Sequence, residues 1–345
     1  MNEIRTNLVS FTVVALLVSA TMCLSVHSDN EEFSSIQENP AELIKRLVGE
    51  EAGSNIAAGR GRLSSYLLLL YNALEGYEEI HQHHTGKFPK IRSYRGLKGG
   101  ENSFTFSLTS VRRNHMKRIE IAVKLTDRGR NIFSIGQNVS LFVHDGLHDT
   151  IDFFAQTYAN YLIFDISDLK DALPSNITID NILHINNEQV RISRRNEPVL
   201  LIYEHLQYNP LLNGRQRVRR HAHHMQNLVD DHSAETDLYS CRRYDWYMDM
   251  SVFDLNWWVR PLVYNAGYCY GRCRFPLTIE GTNSTSYSFM KNIWHSQTFF
   301  MDESVPKACC VPVDYEPLQI IYINDNLDGD IMMISNMKVK SCGCR

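Results

Sequence analysis

The spacing of hydrophobic positions changes several times along the chain, and each change marks a different kind of element. A lone apolar run, LVSFTVVALLVSA at residues 8 to 20, follows a cationic start. Its length suits the apolar centre of an export signal and is short for a bilayer span. The spacing then turns helical: Leu43, Ile44, Leu47 and Val48 share one face, behind Asn39 as N-cap, Pro40 at the first helical position and Glu42 at the third. Residues 63 to 80, LSSYLLLLYNALEGYEEI, predict a second helix. It is apolar on more than one face, so it should be clamped between surfaces. Beyond it the period becomes two, in FTFSLTSV from Phe104, RIEIAVKL from Arg118, SLFVH from Ser140, YLIFDISDL from Tyr161 and VLLIYEHL from Val199. Helices followed by strands are an α+β order. Residues 26 to 220 are long enough for one domain with a real core.

Cysteine usage divides the chain further. Cleavage near Ser25 would make residues 1 to 25 a signal peptide and remove Cys23, leaving a secreted, extracellular product without membrane insertion. No cysteine lies between residues 26 and 240, whereas Cys241, Cys269, Cys273, Cys309, Cys310, Cys342 and Cys344 crowd the end. Seven is odd, which implies a bridge to another molecule or a reactive thiol. Zinc is disfavoured, because export favours oxidation and the spacings do not form paired C-x-x-C clips. No metal or other cofactor is expected. Cys309 and Cys310 are adjacent, so in an extended segment they face opposite ways and one interior bridge cannot use both. Six cysteines allow fifteen connectivities, and spacing alone does not choose among them.

The two parts meet at Arg217, Val218, Arg219 and Arg220, an R-x-R-R that a subtilisin-like proprotein convertase with acidic subsites would accept. Turn residues precede it and a polar, histidine-bearing stretch follows, both favouring exposure. A weaker R-x-x-R runs from Arg191 to Arg194. Residues 26 to 220 and 221 to 345 are therefore the expected units. Asn138, Asn176 and Asn283 begin N-glycosylation sequons. No nucleophile and base motif appears, so an enzyme is not expected. Residues 221 to 345 hold ten basic and fifteen acidic residues, a formal charge of −5, which argues against nucleic-acid binding.

The pattern C…CYGRC…CC…CGC resembles growth factors of the transforming growth factor-β superfamily. NST at 283, KACCVP at 307 and the final CGCR are similar to its bone morphogenetic protein branch, while CRR at 241 and VYNAGYC are similar to nodal-type ligands. The two early helices resemble the family's straitjacket elements, and FTFSLTSV and LIFDISDL resemble prodomain strands. The resemblance implies a small disulfide-rich β fold, a cystine knot with two β fingers and one heel helix, preceded by an α+β prodomain. It implies the pairs Cys241–Cys310, Cys269–Cys342 and Cys273–Cys344. The last two would close a ring through which the first passes only beside a residue without a side chain, Gly271. It also implies that Cys309 bridges to the same residue of a second chain in a homodimer.

Tyr287, Met290, Ile293 and Trp294 form an apolar stripe at helical spacing. In a two-finger fold with little core of its own, that stripe is expected to pack in a partner's palm. Receptor contacts carry over as Trp257 and Trp258 for type I serine/threonine kinase receptors, and as Arg260, Pro317, Leu318, Gln319 and Ile321 for type II. The family's W-x-x-W is replaced here by adjacent tryptophans, with Leu255 near the first position. The implied function is a dimeric developmental growth factor that triggers Smad signalling after cleavage at RVRR. Its partners would be its own prodomain, the convertase, both receptor types and extracellular antagonists. The alternative is a secreted cystine-knot antagonist that sequesters related ligands.

Overall fold

The computed structural model describes residues 39–48, 63–81, 90–99, 103–108, 111, 113–126, 139–144, 151–185, 188–192, 197–205, 240–277, 283–298 and 305–345. The export signal, Asn138, Arg194 and the segment Arg217 to Arg220 lie outside them. In chain order the N-terminal region forms α1 (Pro40–Val48), α2 (Ser65–His81), β1 (Ile91–Arg95), β2 (Leu97–Lys98), β3 (Ser103–Ser107), β4 (Arg118–Lys124), β5 (Val139–His144), β6 (Ile151–Tyr158), β7 (Tyr161–Asp165), β8 (Asn176–Asp180), β9 (Ile182–Ile185), β10 (Glu188–Arg191) and β11 (Val199–Tyr203). The C-terminal domain forms β12 (Arg242–Tyr244), β13 (Tyr247–Asp249), β14 (Trp258–Arg260), β15 (Val263–Asn265), β16 (Tyr268–Tyr270), α3 (Ser286–Gln297), β17 (Cys310–Ile323) and β18 (Gly329–Cys344).

Alternation along the N-terminal strands builds the first core. Ile119, Ile121 and Val123 of β4 point inward with Leu162 and Phe164 of β7 and Leu200 and Ile202 of β11. They meet Phe104 and Phe106 of β3, Leu141 and Val143 of β5, and Ile177 and Ile179 of β8. The opposite parity of the same strands, Ala122, Ile163, Leu201 and Tyr203, faces α2. The run VLLIY therefore reads as continuously apolar because β11 is buried on both sides. Glu120 points to that second face, where it accepts from the Tyr203 hydroxyl at 2.8 Å and from Arg118 Nε at 2.5 Å. Burial first, and then the Glu120 charge, raise the Tyr203 hydroxyl well above its ordinary range.

Helix α2 is apolar on several faces because it packs against both regions of the chain. Tyr66, Leu67, Leu70 and Leu74 pack in one cluster with Ile91, Ile163, Leu201 and Tyr203 of the N-terminal region and with Ile321 and Ile331 of the C-terminal domain. Each such aliphatic side chain removed from water stabilises the arrangement by about 1.5–3 kcal/mol. The strands of the two regions also join in one sheet. Strand β1 pairs antiparallel with β11 along its length and with β18 at Ile91 and Ile331. The sheet order β14-β17-β18-β1-β11-β4-β7 runs from one region into the other.

In the C-terminal domain β17 and β18 form one long antiparallel hairpin, from Cys310 opposite Cys344 to Ile323 opposite Gly329. Strand β12 pairs with β16, and β13 with β15. Met250, Leu255, Trp257, Trp258, Leu318, Ile320 and Tyr322 pack together, and α1 covers the cluster with Val48, Ala41 and Ile44. Helix α1 begins as its sequence suggests, with Asn39 Oδ1 accepting from the Ala41 amide at 3.0 Å.

Candidate functional site

Three bridges gather the base of the C-terminal hairpin: Cys241–Cys310, Cys269–Cys342 and Cys273–Cys344. The sulfurs of Cys241, Cys273 and Cys344 lie within 4.8 Å of one another. All three are spent in disulfides, so they have no thiolate to give a metal. Gly271 has φ +127°, and a Cβ there would run into the Ser240 carbonyl and stand 2.9 Å from Cys241 Cα. The backbone of the threading cysteine thus passes where a side chain would be, which a residue other than glycine cannot accommodate. Cys309 takes part in none of these three bridges. Its side chain is partly exposed, and its backbone exchanges hydrogen bonds with Arg345, 2.9 Å from its amide and 3.0 Å to its carbonyl.

Helix α3 is capped by Thr285, which forms a reciprocal capping box with Ser288. Its burial is inverted relative to an ordinary surface helix. Ser288, Asn292 and His295 face the domain, with Asn292 Nδ2 donating to the Cys273 carbonyl at 3.2 Å. Tyr287, Met290 and Trp294 are 71%, 60% and 52% exposed, and Ile293 is half-buried. Apolar residues outward and polar residues inward mark a face that water does not stabilise. Asn283 lies just before this helix, exposed, with φ +45° and its carbonyl accepting from Arg345 Nη1 at 2.6 Å. Asn176 is exposed at the start of β8.

The finger residues singled out from sequence do not form the open surface their exposed role would require. Leu318, Gln319 and Ile321 are buried. Pro317 is half-buried, and Arg260 is exposed at the end of β14. The cover comes from the N-terminal region: α1 lies on the cluster containing Leu318, and α2 lies on Ile321. Gln319 is held both ways by Tyr71, donating Nε2 to the Tyr71 carbonyl at 3.0 Å and accepting the Tyr71 hydroxyl on its own carbonyl at 3.3 Å. Trp257 and Trp258 are buried edge to face beneath α1, with ring centroids 5.9 Å apart. The Trp258 indole N–H is used internally, on the Pro261 carbonyl at 2.7 Å.

A second set of contacts at the fingertip was not evident from sequence. The Ser93 amide donates to Asp330 Oδ1 at 3.0 Å, and its hydroxyl donates to the Gly329 carbonyl. Arg95 Nη2 donates to the Leu327 carbonyl at 3.1 Å and approaches Asp328 Oδ1 at 3.4 Å. Arg92 of β1 pairs with Glu204, the residue after β11, at 2.5 Å, both buried. A Cβ at Gly329 would strike Leu63 Cδ1 and lie 2.9 Å from Leu67 Cδ2, so the N-terminal helix presses closely on this tip.

A ring of two disulfides threaded by a third, at the base of paired β fingers with one outward-facing helix, defines the cystine-knot growth-factor fold. Residues 240–344 match the transforming growth factor beta like domain. The chain is 33% identical over 150 residues to bone morphogenetic protein 2 of Tetraodon nigroviridis, covering 43% of this chain and 33% of that one. It is 32% identical over 150 residues to bone morphogenetic protein 4 of Bos taurus, covering 43% and 34%. With bone morphogenetic protein 4 of Gallus gallus it shares 29% over 194 residues, covering 51% and 44%. The matches thus span a third to under half of these relatives' own lengths. Residues 240–344 thus carry a transforming growth factor beta like domain, and the chain is similar to bone morphogenetic proteins.

Proposed function

We propose that the chain is the precursor of a secreted, dimeric growth factor. Cleavage after Arg220 separates residues 221–345 from a prodomain of residues 26–220. The released ligand engages type I and type II serine/threonine kinase receptors and raises Smad phosphorylation. The observation that carries this reading is the cover itself: α1 and α2, upstream of RVRR, bury Leu318, Gln319, Ile321, Trp257 and Trp258 on the fingers. Those side chains are apolar or internally bonded in the intact chain and would become a contiguous contact surface once the cover leaves. A precursor so arranged is silent until it is cut and uncovered.

Dimerisation follows from the outward stripe of α3 and from Cys309. Tyr287, Met290 and Trp294 find their cover in the palm of a second copy, with Ile293 at the margin. Cys309 pairs with its symmetry mate across a two-fold axis, where the same residue of both chains meets. Asn138, Asn176 and Asn283 carry glycans in this reading, and extracellular antagonists compete for the uncovered fingers.

The processing step has a direct test. Replacing Arg217 and Arg220 with alanine removes both cationic anchors of the cleavage site, so the secreted chain should stay intact and fail to raise Smad phosphorylation in responsive cells. Adding an engineered protease site at the same position should restore the signal on cutting. A cut wild-type product that only blocks a related ligand would instead identify a sequestering antagonist. A double mutant still cut to the same fragment would move the cleavage site to Arg194.

A further inference from the structure

Asp330 is the most deeply placed carboxylate at the junction of the two regions: it is fully buried on β18, and a backbone amide of β1 donates to it. We propose that burial of the Asp330 carboxyl at the junction with β1, rather than the Ser93 amide that favours its ionised form, makes the grip of the N-terminal region on the fingers proton-dependent, tight in acidic surroundings and loosened at neutral pH. The inference rests on the reading of residues 26–220 as a prodomain that lies over its own ligand and later leaves it.

The surroundings of the carboxylate decide the direction. Lys90 and Arg92 are the cations near it, but Arg92 is already engaged by the buried Glu204. Arg95 is turned toward Asp328 and Glu197. The fingertip side offers uncharged groups, the Tyr322 hydroxyl at 3.4 Å from Oδ2 and the Asn324 side chain. From the helical layer come Leu63 and Leu67, packed over neighbouring Gly329. No cation pairs directly with Asp330 among the described residues, so desolvation dominates and pushes its carboxyl from the ordinary 3.8 up to about 7. Asp328 moves in the same direction by burial, opposed by Arg95.

Strand β1 and the leucines packed over Gly329 both belong to the N-terminal region, so opening of that region ends the burial of Asp330 and returns it to water and to its ordinary ionisation. The closed state then binds a proton that the open state releases. Closure is fully favoured below about pH 4 and weakens as the pH climbs through about 7. Between pH 5.5 and 7.5 the closing equilibrium should change by on the order of tenfold. The chain would be held most firmly in acidic late secretory compartments and least firmly after export, the reverse of an acid-triggered release.

The test uses the intact, uncleaved chain and needs neither processing nor receptors. Amide hydrogen exchange of Ile91–Arg95 is measured from pH 5.5 to 7.5 and corrected for the intrinsic exchange rate. Protection in the wild type should fall on the order of tenfold across this range, while Asp330→Asn, which cannot ionise, should show little slope. Lys90→Gln, which removes a cation that favours the ionised form, should move the midpoint upward and supplies a second arm if the Asn variant folds poorly. A pH-independent wild type, or an Asn variant with the wild-type slope, overturns the inference. Because Smad phosphorylation is scored separately, a flat exchange profile with intact signalling sinks this device alone, and loss of signalling with a steep profile sinks the ligand reading.

Discussion

Gly271→Val should abolish secretion of a folded, disulfide-bonded product. The obstacle is the backbone of the threading segment itself, since a Cβ at this position meets the Ser240 carbonyl and lies 2.9 Å from Cys241 Cα. Neither atom belongs to a flexible side chain that could swing away, and φ +127° is a conformation that β-branched residues do not adopt. Loss of the threading bridge costs about 2–5 kcal/mol, a large share of the roughly 5–15 kcal/mol that holds a domain folded. Gly329→Ala is the informative contrast, because its Cβ meets the flexible ends of Leu63 and Leu67 and leaves the knot untouched. On a non-reducing gel the alanine variant should resemble the wild type while the valine variant is missing from the medium or appears as scrambled aggregates. Native secretion of the valine variant would show that the ring does not need this glycine.

The adjacent cysteines should behave as opposites when each is replaced. Cys310→Ser removes the bridge to Cys241 and leaves that thiol inside the knot, so the product should misfold. Cys309→Ser touches none of the three intrachain bridges and preserves the backbone pairing with Arg345, so the fold should survive. Without the interchain link, association rests on the exposed stripe of α3, and dimerisation becomes concentration-dependent. The Cys309→Ser protein should therefore run as a single chain without reductant and lose potency most at low dose. If Cys309→Ser misfolded and Cys310→Ser were secreted as a healthy single chain, the inward and outward roles would be exchanged.

Much of this architecture can be read from local chemistry. The two-residue period marks β4, β7 and β11, and the leucine-rich run from Leu67 to Leu70 signals a helix held on several sides, as α2 is. The capping residues before α1 and the stripe of α3 are likewise visible in sequence, because each depends on neighbours a few positions away. Strand β1 is hidden for the opposite reason. IRSYR has no clean alternation, since Arg92 and Ser93 are buried by partners 112 and 237 residues distant. The fate of Leu318 and Ile321 is equally non-local: their pattern announces an apolar finger surface, but only the fold shows α1 and α2 lying on it. For α3 the stripe is legible while the polar face beneath it is not, because Asn292 faces inward to satisfy the Cys273 carbonyl, a contact made across 19 residues beside the knot.

The claim that the N-terminal region covers the signalling surface is tested most directly by binding of a type II receptor ectodomain to the same chain before and after cutting. The chain carrying Arg217→Ala and Arg220→Ala with an engineered protease site is immobilised at equal density in both states. The uncut chain should bind weakly or not at all, because Leu318, Gln319 and Ile321 are buried under α1 and α2, and cutting followed by a wash at pH 7.5 should reveal strong binding. Equal binding before and after the cut would contradict the account.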